Sequence, residues 1–183
     1  GFLGTLPLED TDIGNFISFA NKYIGTEIHG NSLNIGLEDE VSGKLIFNVG
    51  IINYSGSEAA LTINIRYPVT YKLQDILKPL ELKLFENNIE MKNLIEDKPL
   101  YYPKDHFLVK TLQKVYEKHT GGQEEPLAIG GGTYAKTMKN IVAFGPLFPG
   151  APDVIHQVNE YIEIDKLIQC AKIYGEAIYQ LAK

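Results

Sequence analysis

The chain has 183 residues, enough for one domain or two small ones whose cores need neither a disulfide nor a metal to fold. It carries 17 Lys and Arg against 23 Asp and Glu, and a net charge of −6 with no basic stripe argues against nucleic acid as a partner. A single cysteine excludes an internal disulfide framework and favours a reducing, cytoplasmic setting. No apolar run has the length of a membrane span, so no membrane partner is predicted.

The first hundred residues predict an α+β layer, in which an antiparallel sheet carries helices on one face. Apolar residues at helical spacing predict a helix over residues 9–24, with Thr11 as its N-cap and Gly25 at its end. A second helical pattern contains Pro79, which should kink or break that helix. The predicted strands cover 32–40, 44–54, 58–67 and 88–95, and the second helix covers 71–86.

Two prolines, Pro99 and Pro103, mark a predicted boundary between residues 1–98 and 99–183. The acidic excess lies before this boundary. After it, the pattern predicts two helices and two short buried strands, which cover 105–119, 164–182, 127–129 and 141–144. The predicted core face of the last helix holds Ile164, Leu167, Ile168, Ala171, Tyr174, Ile178 and Leu181, and Cys170 is read as a small core residue.

A glycine run, Gly130-Gly131-Gly132-Thr133, is one candidate for a binding segment. Glycine lets a backbone approach a ligand closely and presents bare N–H groups. The run lacks the Gly-Lys-Ser/Thr of a phosphate-binding loop and the spacing of a dinucleotide-binding turn, so a nucleotide-binding enzyme is disfavoured. A simple turn without a binding role is the alternative.

His156 is a candidate metal ligand, because it lies in a loop rich in proline and glycine and a neutral imidazole binds zinc well. Asp153 and Glu160 are candidates to accept a hydrogen bond from its second ring N–H or to orient it. Zinc needs three or four protein ligands, however, and the alternative is a surface or capping histidine. The other histidines have no metal-binding spacing; they are His29, His106 and His119.

Arg66 is the only arginine of the chain and shares the outward face of a predicted strand with Thr62 and Asn64. A guanidinium can bind a carboxylate through two parallel hydrogen bonds, so this face is a candidate carboxylate site. The alternative is the solvated face of an antiparallel sheet. The acidic clusters at 38–40 and 124–125 are predicted to be solvated turns.

Taken in order, these segments resemble the C-terminal part of the M20 family of zinc peptidases, and within it the bacterial dipeptidases of the PepV type (Xaa-His dipeptidase, carnosinase-like). The resemblance covers most of the chain and is strongest from about residue 128 onward. It is carried by Asn-Ile-Arg-Tyr-Pro at 64–68, Gly-Gly-Gly-Thr-Tyr-Ala at 130–135, Val-Ala-Phe-Gly at 142–145, Phe-Pro-Gly at 148–150, and His156 with Asn-Glu-Tyr at 159–161.

The resemblance implies a catalytic domain with two zinc ions, at which a glutamate base helps an activated water attack the peptide carbonyl, and an inserted lid domain. Residues 1–98 would be the second half of the lid, and 99–183 the C-terminal segment of an α/β catalytic domain. His156 matches the family's last zinc ligand. Arg66 matches the lid arginine that holds the C-terminal carboxylate of the substrate, and residues 130–133 match backbone that contacts the substrate.

The family's other metal ligands and its glutamate base are missing from this sequence, and Glu124-Glu125 lies in the wrong place to replace them. The chain is therefore expected to be part of a longer dipeptidase and to be inactive alone. Its expected partners are a dipeptide substrate and the N-terminal remainder of the catalytic domain. A start at Gly1 is expected of a processed or excised product. The alternative is a non-enzymatic α+β binding or assembly module.

Overall fold

A computed structural model describes residues 11–56 and 58–183. The chain divides into two compact units, the first formed by residues up to Pro99 with Ala128–Gly130, and the second by Leu100–Leu127 with Gly131–Lys183. The elements are α1 (Asp12–Phe19), β1 (Glu38–Asp39), β2 (Gly43–Lys44), β3 (Ile46–Tyr54), β4 (Ala59–Arg66), α2 (Leu73–Glu86), α3 (Phe107–Thr120) and α4 (Ile164–Leu181). Helices combined with small antiparallel sheets confirm the predicted α+β class, whereas the assignment to lid and catalytic domain stays a prediction.

The first helix was predicted over 9–24, and helical structure covers residues 12–24. Residues 9 and 10 lie outside the described part of the chain. The Thr11 side chain accepts a hydrogen bond from the backbone N–H of Gly14 at 3.2 Å, which confirms the N-cap. The helix continues as a π-helical turn over Ala20–Ile24 and ends at Gly25, whose φ of 45° lies in the left-handed region that glycine tolerates.

Strands β3 and β4 form an antiparallel hairpin, as predicted, in which Ile46 lies opposite Arg66. Half-buried and exposed residues alternate along the whole of β4, so Arg66 lies on the exposed face. An extra residue in β3, Gly50, interrupts the register between Val49 and Ile51 and forms a β-bulge. Residue 57, in the connection between the two strands, lies outside the described part.

The core of the first unit lies on the other face of this hairpin. It contains Phe19, Ile24, Leu33, Ile35, Leu45, Phe47 and Ile76. Helix α2 contributes Ile76 and runs without a break through Pro79, so of the two predicted effects, a kink or a break, the break does not occur. A carboxylate oxygen of Asp75 accepts the backbone N–H of Lys72 at 2.8 Å, and this cap together with the buried Ile76 offsets the one hydrogen bond that proline removes.

Several predicted strands do not form. Of residues 32–40, only Glu38–Asp39 is a strand, and Asn31–Leu33 form a 3-10 turn. Residues 88–95, 127–129 and 141–144 contain no strand. An apolar run forms a strand only where a neighbouring strand supplies hydrogen bonds and a core covers one face. Residues 127–129 pair with none of the described strands, and residues 127 and 129 are 86% and 66% exposed.

The second unit is built on the packing of α3 against α4. Their buried residues, together with one from the connecting segment, are Leu112, Val115, Phe148, Cys170, Ile173 and Ala177. The far end of α3 is tied to α4, because a carboxylate oxygen of Glu176 lies 2.6 Å from Lys118 Nζ and the other lies 2.7 Å from His119 Nε2. These hydrogen bonds, that of Lys118 first, lower the pKa of Glu176. No helix in the described residues is both long and apolar enough to cross a membrane.

Candidate functional site

Arg66 and the first glycine of the run lie together in the first unit, although 64 residues separate them. The guanidinium donates a hydrogen bond from Nη1 to the carbonyl oxygen of Gly130. Its Nε lies 3.4 Å from Asn64 Oδ1, a long hydrogen bond between neighbours on the same strand face. The structure therefore joins two residues that were singled out in the sequence for separate reasons.

The space beside Gly130 is narrow. A Cβ atom there would lie 3.2 Å from Ile46 Cδ1 and 3.3 Å from Arg66 Nη1, closer than ordinary van der Waals contact. At Gly132, by contrast, a Cβ atom would meet no atom within 4 Å. Glycine at position 130 thus allows the backbone to reach the guanidinium, a requirement that the sequence alone does not reveal.

The guanidinium keeps capacity for a ligand. Arginine has five N–H donors, and in the described part of the chain Arg66 directs two of them at Asn64 and Gly130. Two further donors suffice for a bidentate carboxylate. Asn48 lies directly opposite Asn64 on the same outward face, and Ile46 lies opposite Arg66, so the arginine is exposed beside two amide side chains and one apolar side chain. No sequence pattern distinguishes Asn48, because only the strand register places it beside Asn64.

The end of β4 that carries Arg66 is anchored by Asp39. One carboxylate oxygen of Asp39 accepts the backbone N–H and the hydroxyl of Ser42 at 2.5 and 2.9 Å, and the other accepts those of Thr70 at 3.1 and 2.8 Å. Ser42 Oγ accepts the N–H of Val69 at 3.0 Å. Partial burial alone raises the pKa of Asp39, but these hydrogen bonds outweigh it and lower the pKa from 3.8 to about 2.

The prediction of a solvated turn at 38–40 is therefore wrong for Asp39, whose carboxylate joins the turn between β1 and β2 to the segment after β4. An aspartate followed by a serine three residues later, in a turn, is the signal that could have indicated this role. At the other acidic cluster, Glu125 pairs with Lys104 at 2.8 Å and both side chains are exposed.

The rest of the glycine run belongs to the second unit and is exposed. Thr133 is the N-cap of a short 3-10 turn over Tyr134–Lys136, because its hydroxyl accepts the N–H of Ala135 at 3.2 Å. The backbone of Gly131 and Gly132 is thus presented at the surface just before a capped turn.

His156 lies in the second unit on a tight exposed turn, with a left-handed φ of 62°. A carboxylate oxygen of Glu160 accepts the backbone N–H of His156 at 3.3 Å, and Asp153 Oδ1 accepts that of Ile155 at the same distance. In the structure these two carboxylates accept hydrogen bonds from the loop backbone, and their contact with the ring stays a prediction. A left-handed φ is uncommon outside glycine and is typical of turns, so the backbone of the loop reverses at His156.

The model of Peptidase family M20/M25/M40 matches residues 13–180 of the chain. The chain belongs to this family. It is 44% identical over 183 residues to "Putative dipeptidase YtjP" of Bacillus subtilis (strain 168), a match that covers all of the chain and 39% of the relative. It is 34% identical over 183 residues to "Putative dipeptidase SH1171" of Staphylococcus haemolyticus (strain JCSC1435), with 98% of the chain and 38% of the relative covered. The chain thus spans about two fifths of the length of these relatives.

Membership of the M20 family confirms the resemblance that the sequence motifs indicate, while the PepV type stays a prediction. M20 peptidases generally depend on zinc. Among the described residues of this M20 chain, no three His, Cys, Asp or Glu side chains converge in a group that could hold a metal ion. Since zinc takes three or four protein ligands, the described residues do not by themselves form a zinc site, and the role of His156 as a ligand stays a prediction.

Proposed function

We propose that this chain is part of a zinc-dependent dipeptidase and that Arg66 binds the C-terminal carboxylate of the substrate. The observation that carries the proposal is the contact between Arg66 and Gly130, which brings the only arginine against the start of the glycine run. Family membership and relatives named as dipeptidases support the reaction class.

In this proposal the outward face of β4 recognises the free end of the substrate. Two donors of the guanidinium are turned toward Asn64 and Gly130, which restrict its orientation, and the remaining donors meet the carboxylate. A substrate contact by the backbone of Gly131, Gly132 and Thr133, which belong to the second unit, is a separate part of the proposal. Such a site selects for a free carboxylate, because an amide at the same place offers no negative charge to the arginine.

His156 is proposed to be one of the zinc ligands. The other ligands and the catalytic base then come from polypeptide that the longer relatives contain outside the matched region, so the 183 residues alone are proposed to be inactive. Zinc in such a site activates a water molecule for attack on a peptide carbonyl. A cytoplasmic location and the division into lid and catalytic parts belong to the same proposal.

The experiment uses a hybrid enzyme, in which these 183 residues replace the matched region of the Bacillus subtilis relative. We expect the hybrid to hydrolyse dipeptides with a free C-terminus faster than the corresponding dipeptide amides. Arg66→Ala should lower kcat/KM for the free dipeptide about 10- to 100-fold, the range expected for loss of a hydrogen-bonded charge pair. The amide should be affected much less.

Lys92→Ala is the matched control, because Lys92 is an exposed cation of the same unit and is paired with Glu58 at 3.3 Å, away from the arginine. It should leave both rates unchanged. Equal losses for acid and amide in Arg66→Ala would show that the arginine does not recognise the carboxylate. Lack of hydrolysis by both the hybrid and the relative would refute the dipeptidase function itself and favour a non-enzymatic module.

A further inference from the structure

Helix α4 has two apolar faces, of which the second unit covers only one. The covered face holds Cys170, Ile173 and Ala177, which are 4%, 2% and 4% exposed. The predicted core residues Ile164, Leu167, Ile168 and Ile178 are instead 50–74% exposed. That part of the predicted core face is therefore wrong for this chain.

The exposed apolar residues form one continuous stripe, here called the α4 outer face. At 100° per residue they lie within an arc of about 120°, without a charged or hydrogen-bonding side chain other than the Tyr179 hydroxyl. An arc of this width is what a helix normally turns toward a core. The α4 outer face comprises Ile164, Leu167, Ile168, Ala171, Gly175, Ile178, Tyr179 and Ala182.

The shape of this face favours a close-packed polypeptide partner. Ala171 and Gly175 lie one turn apart along its centre, and a Cβ atom at Gly175 would meet no atom within 4 Å. Small residues between the flanking Ile168 and Ile178 make a shallow groove into which a side chain or a backbone segment can pack. The charged residues of the helix, such as Lys172 and Glu176, lie outside the arc.

We propose that the α4 outer face docks against the rest of an M20 polypeptide, meaning the sequence that relatives have outside the region matched by this chain. The relatives are long enough to provide this cover, since the chain corresponds to only 39% of the first of them. The family model extends to residue 180 and so includes the whole outer face except Ala182. The proposal depends on family membership and not on the roles given to Arg66 and His156.

Thiol labelling in the isolated chain and in the hybrid enzyme tests this docking. Ile168→Cys and Ile178→Cys place a thiol on the α4 outer face, and Lys172→Cys places one on the charged side of the same helix. The native Cys170 is buried in this chain, and the unsubstituted hybrid gives the labelling background. We expect the two outer-face thiols to react about tenfold or more slowly in the hybrid than in the isolated chain. The thiol at position 172 should react equally fast in both.

A second pair of variants compares the two faces directly. In the isolated chain, Ile178→Glu should leave the melting temperature nearly unchanged, whereas Ile173→Glu, on the covered face, should unfold the second unit. In the hybrid, both substitutions should lower the melting temperature.

Equal labelling of the outer-face thiols in hybrid and isolated chain would overturn the proposal, as would a hybrid that fails to fold while the relative folds. Protection that is already present in the isolated chain, rises with its concentration and disappears in Ile178→Glu would assign the face to a second copy instead. Because labelling does not depend on catalysis, protection in a hybrid that is inactive together with the relative would refute the proposed function and leave the docking intact.

Discussion

Replacing Asp39 by Asn tests whether this carboxylate anchors the end of the strand that carries Arg66. The substitution preserves size but removes the charge, and it places an NH₂ group where one carboxylate oxygen now accepts hydrogen bonds. The NH₂ group then faces either the N–H and hydroxyl of Ser42 or those of Thr70, and a donor cannot accept hydrogen bonds from them. We expect the segment after β4 to loosen and the first unit to lose stability.

The size of the loss follows from the pKa of Asp39, which folding lowers from 3.8 to about 2. A fall of nearly two units corresponds to at most about 2.5 kcal/mol of stabilisation at neutral pH. The carboxylate is partly exposed, so solvent screening reduces the expected cost to about 1 kcal/mol. Because the folded pKa lies below the unfolded one, this stabilisation is full above about pH 4 and is lost as the pH falls toward 2.

The assay is urea unfolding followed by circular dichroism between pH 7 and pH 2, with hydrogen exchange of β3 and β4 peptides to assign the transition to the first unit. Glu40→Gln is the control, because Glu40 is the adjacent, exposed carboxylate and should change stability by less than about 0.5 kcal/mol. Equal losses in the two variants, or a difference between Asp39→Asn and the parent that persists at pH 2, would refute the reasoning.

Two further predictions concern the hybrid enzyme. Gly130→Ala should lower kcat/KM for a free dipeptide, because the new Cβ atom would lie 3.3 Å from Arg66 Nη1 and displace the guanidinium. Gly132→Ala is the control: its Cβ atom would meet no atom within 4 Å, so kcat/KM should change little. Equal kinetics of the two variants would contradict this reading. His156→Ala should reduce the amount of bound zinc, measured by atomic emission after dialysis. The control, His106→Ala, removes a helix cap in α3 and should leave the zinc content unchanged. An unchanged zinc content in His156→Ala would show that His156 is not a zinc ligand.

Local rules predicted the parts of the fold that depend on neighbouring residues. The Thr11 cap, the stop at Gly25 and the alternation along β4 each follow from side chains within a few positions of one another. The orientation of Arg66 toward the exposed face followed from the same alternation. These features need no knowledge of what packs against them.

Contacts between distant segments were beyond the sequence. Nothing in the local pattern joins Arg66 to Gly130 or Asp39 to Thr70, because each pair forms only when separate segments fold together. The strands predicted over 127–129 and 141–144 failed for a related reason. A strand is completed by its neighbours, and apolar composition cannot say whether they are present.

The error at α4 has a different origin and supports the docking proposal. Helical periodicity identified Ile164, Leu167, Ile168 and Ile178 as residues that should be buried, and they are exposed, while the face beside them packs against α3. Helical periodicity identifies the residues that a helix buries, but it does not identify the segment that packs against them. A helix with an apolar surface on both sides of one narrow charged stripe is therefore expected to pack on two sides. Since the described second unit covers one side only, the α4 outer face is the surface on which the proposed docking should be tested first.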